Sequence, residues 1–292
     1  MWSQIVGKVR LASSPWINHS WGAALYVTTR GLGTSPIPYQ ERTFAIDFDF
    51  VAHVLCITTS DGRTRSFALE PMSVAAFFEK TMRALEELDI RVAIFARPVE
   101  VDPAIAFPED AAHASYAAGA VEAFWRALCQ VQRVFGDFRA RFVGKCSPVH
   151  FFWGGFDLAV TRFSGRPAPK HPGGIPNCAD WVMQEAYSHE VSSAGFWPGS
   201  GLGEAAFYAY AYPAPDGFAQ YPVEPSAAYF HATLGEFILP YEAVRTADDP
   251  DRALLSFLQT TYEAAAELAR WDRGALEWVP PVPRGRARQG SR

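Results

Sequence analysis

Between Val143 and Arg166 the chain reads Val-Gly-Lys-Cys-Ser-Pro-Val-His-Phe-Phe-Trp-Gly-Gly-Phe-Asp-Leu-Ala-Val-Thr-Arg-Phe-Ser-Gly-Arg, which sets Lys145, His150, Asp157, Arg162 and Arg166 among aromatics. A carboxylate beside a histidine suits general acid–base work, and lysine with arginine suits an anionic substrate. His189-Glu190 offers the same histidine–carboxylate combination further along. The candidate catalytic residues are therefore His150, Asp157, His189 and Glu190, with Lys145, Arg162 and Trp153 as candidate ligand contacts. A lone histidine next to an aspartate is more often a structural pair, so the site stands or falls on convergence of these side chains. A weaker reading puts a metal on His150, His189 and Asp157 or Glu190, since two strand histidines and a carboxylate can meet three-ligand geometry. Cysteine pairs and the usual His-x-x-x-His spacing are missing, so no tightly bound metal is expected.

The elements that must hold these groups are strands. Val149 to Trp153 and Phe156 to Phe163 flank Gly154-Gly155, a pair that readily turns a hairpin. A two-residue turn makes 152 face 157 and 150 face 159, so His150 and Asp157 share one face of the ribbon. Trp153, Phe156, Leu158 and Val160 then take the other face. Glu185 to Phe196 reads as a further strand carrying His189, and His150 and His189 are expected in one pocket.

The 292 residues are 49% hydrophobic, enough for a substantial core in one large domain or two small ones. A formal charge of -5 provides no basic field for nucleic acid. Four scattered cysteines and no signal region fit a reducing cytoplasm, and Asp47 and Asp49 break even the most apolar run, so no membrane span is expected.

Trp2, Ile5, Val6 and Val9 lie at helical spacing with Lys8 on the flank. Strands are expected at Trp21 to Arg30, Arg42 to Phe50, His53 to Thr59 and Arg63 to Leu69, with a turn at Asp61-Gly62. A helix follows from Ser73 to Leu88, then a strand at Ile90 to Phe95. Residues 96–117, with three prolines, read as a connector. The helix from Ala118 to Val143 has its apolar residues spaced three and four apart, and a last helix runs from Asp249-Pro250 to Trp271 after a short strand at Glu236 to Val244. The basic tail 279–292 reads as disordered.

Val6-Gly7-Lys8, Trp21-Gly22 and Thr29-Arg30 recur as Val143-Gly144-Lys145, Trp153-Gly154 and Thr161-Arg162. The expected architecture is α+β: two tandem helix, antiparallel sheet, helix units, at 1–95 and 118–278, related by duplication and an approximate two-fold. Trp21 and Trp153, and Arg30 and Arg162, are the expected equivalents.

The words Trp-Ser-Gln-Ile-Val-Gly-Lys-Val-Arg (2–10), Thr-Ser-Pro-Ile-Pro-Tyr (34–39), Phe-Arg-Ala-Arg-Phe-Val-Gly-Lys-Cys-Ser-Pro-Val-His-Phe-Phe-Trp-Gly (138–154), Tyr-Ser-His-Glu-Val (187–191) and Gly-Phe-Trp-Pro-Gly (195–199) resemble a bacterial family of unknown function, DUF5996, over nearly the whole chain. The resemblance implies a soluble bacterial protein and brings no activity, cofactor or assigned site. Family members carry residues ahead of the Trp-x-Gln word, which implies that this chain lacks the start of its first helix. Two functions follow from the residues: a small anionic-ligand or substrate site on the His150, Asp157, Arg162 and His189 strands, or a non-catalytic module that binds a protein through the aromatic run Trp197 to Tyr212.

Overall fold

A computed structural model describes residues 1–278; the tail that was expected to be disordered lies outside the described residues. Within them are seven α-helices and two antiparallel six-stranded sheets. The first sheet comprises β1 (Tyr26–Val27), β2 (Gly31–Gly33), β3 (Ile37–Tyr39), β4 (Arg42–Asp49), β5 (Val54–Thr59) and β6 (Thr64–Ala68), ordered β1-β2-β4-β5-β6 with β3 also paired to β4. On β4 the expected alternation holds: Phe44, Ile46 and Phe48 are buried while Asp47 and Asp49 face outward. Helix α1 (Trp2–Ser13) and helix α2 (Val74–Glu86, capped by Ser73) cover the apolar face, with Trp2 stacked on Phe77 and Phe77 on Phe48. Every residue of α1 from Ser3 to Arg10 is buried, so Lys8, on the flank of the apolar stripe, lies inside the protein. No helix among the described residues is long and apolar enough to cross a membrane.

Residues 90–95 form no strand. Their backbone finds single partners in place of a ladder: Arg91 N–H donates to the Tyr39 hydroxyl at 2.9 Å, and just beyond, Ala96 C=O accepts from Phe107 N–H at 2.9 Å. The rest of the connector is irregular except for a single 3-10 turn, Phe107–Glu109, whose Phe107 is sealed in the core.

Helix α3 (Ala118–Ala140) leads to the second sheet: β7 (His150–Phe152), β8 (Asp157–Pro167), β9 (His189–Trp197), β10 (Ala206–Tyr212), β11 (Tyr229–His231) and β12 (Glu236–Pro240), ordered β11-β12-β10-β9-β8-β7. Before β9 the chain is helical, α4 (Asp180–Ala186), so the strand starts four residues later than its β-branched and aromatic content implied. After β12 the run to Val244 is likewise helical, α5 (Tyr241–Arg245), followed by α6 (Pro250–Leu268) and α7 (Arg273–Leu276). Leu158 and Val160 of β8, Phe196 of β9, Phe207 and Ala209 of β10 and Leu239 of β12 share the buried core with the apolar stripes of α3 and α6. The opposite face of this sheet lies under the N-terminal segment and α4.

The two sheets meet at their edges, where Leu25 and Phe151 exchange backbone hydrogen bonds of 2.9 and 2.8 Å. The tandem repeat is not carried by this topology. Strand orders differ, Trp21 ends a single-turn helix, and Trp153 sits in the β7–β8 loop. Arg30 is an exposed partner of Asp49, whereas Arg162 is 1% exposed, so the expected equivalents occupy unrelated surroundings.

Candidate functional site

The free face of the second sheet floors a cavity of about 830 Å³. Successive rows across the strands build that floor. His150 pairs with Ala159, Ala159 with Gly195 and Gly195 with Tyr208; in the next row Thr161 pairs with Ser193 and Ser193 with Tyr210. The missing side chain at Gly195 matters most, because a Cβ there would lie 2.3 Å from the Tyr208 ring. Tyr208 of β10 therefore lies flat across β9 and its hydroxyl donates to Asp157 Oδ2 on β8. In the second row Thr161 and Ser193 hydroxyls are 2.9 Å apart, and the Tyr187 and Tyr210 hydroxyls 2.7 Å apart. Glu236 enters from β12. Six aromatics, Trp16, Trp21, Trp153, Trp181, Trp197 and Tyr187, wall the remainder.

Asp157 and Glu236 on this floor are half-buried and line the cavity. Burial pushes Asp157 up to about 7, the Tyr208 hydrogen bond opposing and the charge of Glu100 adding to the rise. Burial and the charge of Asp157 likewise raise Glu236 to about 7. Glu100, also raised by burial, lies beside the hairpin: a Cβ on Gly155 would be 2.9 Å from Asp157 Oδ1 and 3.5 Å from Glu100 Oε2, so both carboxyls border one point. Two groups poised near neutrality can each hold or release a proton at physiological pH, the property general acid–base chemistry requires.

The opposing wall is built on α1. Lys8 is 5% exposed and lines the cavity with Trp153, whose indole packs so closely on α1 that a Cβ at Gly7 would meet it at 2.1 Å. The Trp153 indole N–H donates to Ala23 C=O at 2.7 Å. At the far end His19 Nε2 and Lys145 Nζ are 2.5 Å apart, His19 Nδ1 faces Ala186 C=O at 2.9 Å, and the His19 amide donates to Glu185. Burial, reinforced by the Lys145 charge, lowers the His19 pKa, so that its neutral ring can accept from the lysine.

Of the residues singled out in the sequence, Asp157 and Trp153 line the cavity and Lys145 borders it through His19. Trp153 turns to the cavity because it stands in a four-residue loop, 153–156, although the register 152 to 157 is the one expected. His150 shares the Asp157 face but is fully buried, with Nδ1 at 3.0 Å from Ala159 C=O, and burial pushes it down to about 4. His189 shares that face near the far end, with its ring 6.5 Å from that of His19, and neither it nor His150 lines the cavity. Arg162 and Glu190 are offset by an odd number of residues from Asp157 and His189, and so point to the helix side. There Glu190 pairs with Arg166 at 2.6 Å, and Arg162 donates to Phe138 C=O at the end of α3. Tyr208, Tyr210, Glu236, Glu100, Lys8 and His19 escaped the sequence reading as site residues. The alternation Ala-Phe-Tyr-Ala-Tyr-Ala-Tyr over 206–212 was the available sign, since small and phenolic side chains alternating at period two mark a face with room above it. Trp197, Tyr208 and Tyr210 of that aromatic run face the cavity, and Phe207 faces the core. Among the described residues no three His, Cys, Asp or Glu side chains gather as metal ligands.

The chain matches the model of DUF5996, a family of unknown function, over residues 1–278, and it belongs to that family. No curated protein and no solved structure matches it.

Proposed function

We propose that the cavity is a small-molecule site, binding an oxygen-bearing organic molecule with an apolar body. What carries this reading is the Asp157–Tyr208 pair laid across Gly195, with Glu236 and Glu100 beside it, at the floor of an aromatic-walled space large enough for a drug-sized ligand. Hydroxyl or carbonyl groups of the ligand meet the carboxyls and phenols, while its body lies against the indoles. An anionic substituent finds its cation in Lys145 beside His19, and not in Arg162. Asp157 and Glu236, each near neutrality, suit proton transfer to and from the bound molecule.

Because five tryptophans line the space, intrinsic fluorescence reports occupancy directly. A panel of small aromatic alcohols, ketones and aldehydes is expected to give saturable quenching. Asp157→Asn and Glu236→Gln should weaken the best of them by roughly tenfold, the size of one hydrogen bond to a charged group. Quenching that never saturates, or that is the same in both variants as in the parent chain, contradicts the reading.

A further inference from the structure

Lys8 is a buried residue that lines the cavity. Its side chain is 5% exposed, in the middle of α1, and among the described residues it makes no hydrogen bond and no ion pair. Its Nζ lies over the rings of Phe95 and Trp153, 5.4 and 5.6 Å from their centroids. Removing an ammonium ion from water without a carboxylate is costly and works against the charged form. Burial accordingly lowers the Lys8 pKa. A lysine whose proton is held less tightly and whose amine opens onto a ligand-sized cavity can serve as a nucleophile.

The chain's other lysines are differently placed. Lys80 lies 3.9 Å from Glu70 and is 41% exposed, Lys170 is exposed in a loop, and Lys145 has its nitrogen against His19. The wall next to Lys8 is also clipped in place. One turn earlier on the helix, Gln4 both donates to Val99 C=O and accepts from Val99 N–H, each at 2.9 Å, and the Glu100 N–H donates to Pro176 C=O at 2.8 Å. Those bonds fix the backbone of residues 99 and 100 against its neighbours, and Glu100 and Lys8 both line the cavity.

We propose that Lys8 condenses with the carbonyl carbon of a small aldehyde or ketone held in this cavity, forming an imine; the proposal rests on the cavity being the ligand site. The Nζ lone pair attacks the carbonyl carbon, and a proton moves from nitrogen to oxygen to give the carbinolamine. Its C–O bond then breaks, the oxygen leaving as water with a proton from one of the carboxyls that line the cavity, Glu100, Asp157 or Glu236, and the iminium N–H proton restores that carboxyl. Amine and carbonyl become imine and water, with no change in oxidation state, and water reverses the step.

The probe is benzaldehyde with sodium cyanoborohydride at neutral pH, which fixes an imine as a benzylamine. Peptide mapping of the full-length protein at limiting reagent is expected to place the benzyl group on Lys8, with fragment ions separating it from the N-terminal amine. The rate should exceed that at Lys80 and Lys170 by roughly tenfold or more. Lys8→Arg should abolish this fast phase, but the map of the parent chain decides the matter even if that variant does not fold. Labelling of Lys80 or Lys170 at least as fast as Lys8, or none at Lys8, overturns the proposal. If compounds quench the tryptophans saturably while Lys8 stays unlabelled, the imine is refuted and the binding site stands.

Discussion

Replacing Asp157 by Asn is expected to stabilise the protein, and by an amount that grows with pH. Asp157 is raised from the ordinary carboxylate range to about 7 in the fold, chiefly by burial. A raised carboxyl contributes most stability below its unfolded pKa, and the contribution is lost as pH rises through the folded value. Above neutrality the parent chain therefore carries an ionised carboxylate in poor surroundings, at a cost on the order of 3 kcal/mol. Asparagine keeps an oxygen to accept from Tyr208 and carries no charge. Chemical denaturation should show the variant ahead by that order at about pH 8.5 and by less than half as much at about pH 5. A variant no more stable than the parent at the higher pH would mean that Asp157 is better solvated or better paired than the geometry shows. Such a gain on removing a polar group marks a residue kept for function at the expense of stability.

Arg162 is expected to behave in the opposite way. Its guanidinium lies 3.5 Å from the ring centroid of Phe138 and 4.4 Å from that of Tyr262, and donates to the Phe138 carbonyl in the last turn of α3. The negative end of the helix dipole and the ring faces take the place of a carboxylate partner. Burial still pushes its pKa down to about 10. Arg162→Ala leaves a void and an unmatched carbonyl, and should cost roughly 3–5 kcal/mol. Arg162→Met fills the same volume without the charge and should cost far less, since apolar replacements of buried ions are often neutral. Neither change should alter tryptophan quenching at the cavity once the protein is folded. Loss of binding in a stable Arg162→Met variant would place the guanidinium functionally in the site.

Much of the scaffold could be read directly because it follows local rules. Phe44, Ile46 and Phe48 alternate with aspartates, Ser73 caps α2, and Gly154-Gly155 sets the 152 to 157 register. Parity along a strand also separates Arg162 from Asp157 and Glu190 from His189, so their opposite faces were legible in the spacing. What local pattern could not supply is the partner across the sheet. Tyr208 reaches Asp157 only because β9 lies between them with a glycine at the crossing, and Glu236 joins them from a strand nearly eighty residues downstream. The groups that lie over Lys8, Phe95 and Trp153, are far from it in sequence, so its burial was not legible in the local pattern. The segments that turned helical, Asp180–Ala186 and Tyr241–Arg245, are too short to show a helical period, although Ala, Glu, Gln, Met and Arg favour the helix there.

The most direct test of the site is a carbon-13 NMR titration of the side-chain carboxyls. Two of them, Asp157 and Glu236, should titrate together with midpoints near 7. One should vanish in Asp157→Asn while Glu236 moves toward the ordinary range, because the charge of Asp157 adds to its rise. If every carboxyl in the protein titrates below about 5, the cavity floor does not hold an acid pair near neutrality, and its role as the functional site is contradicted.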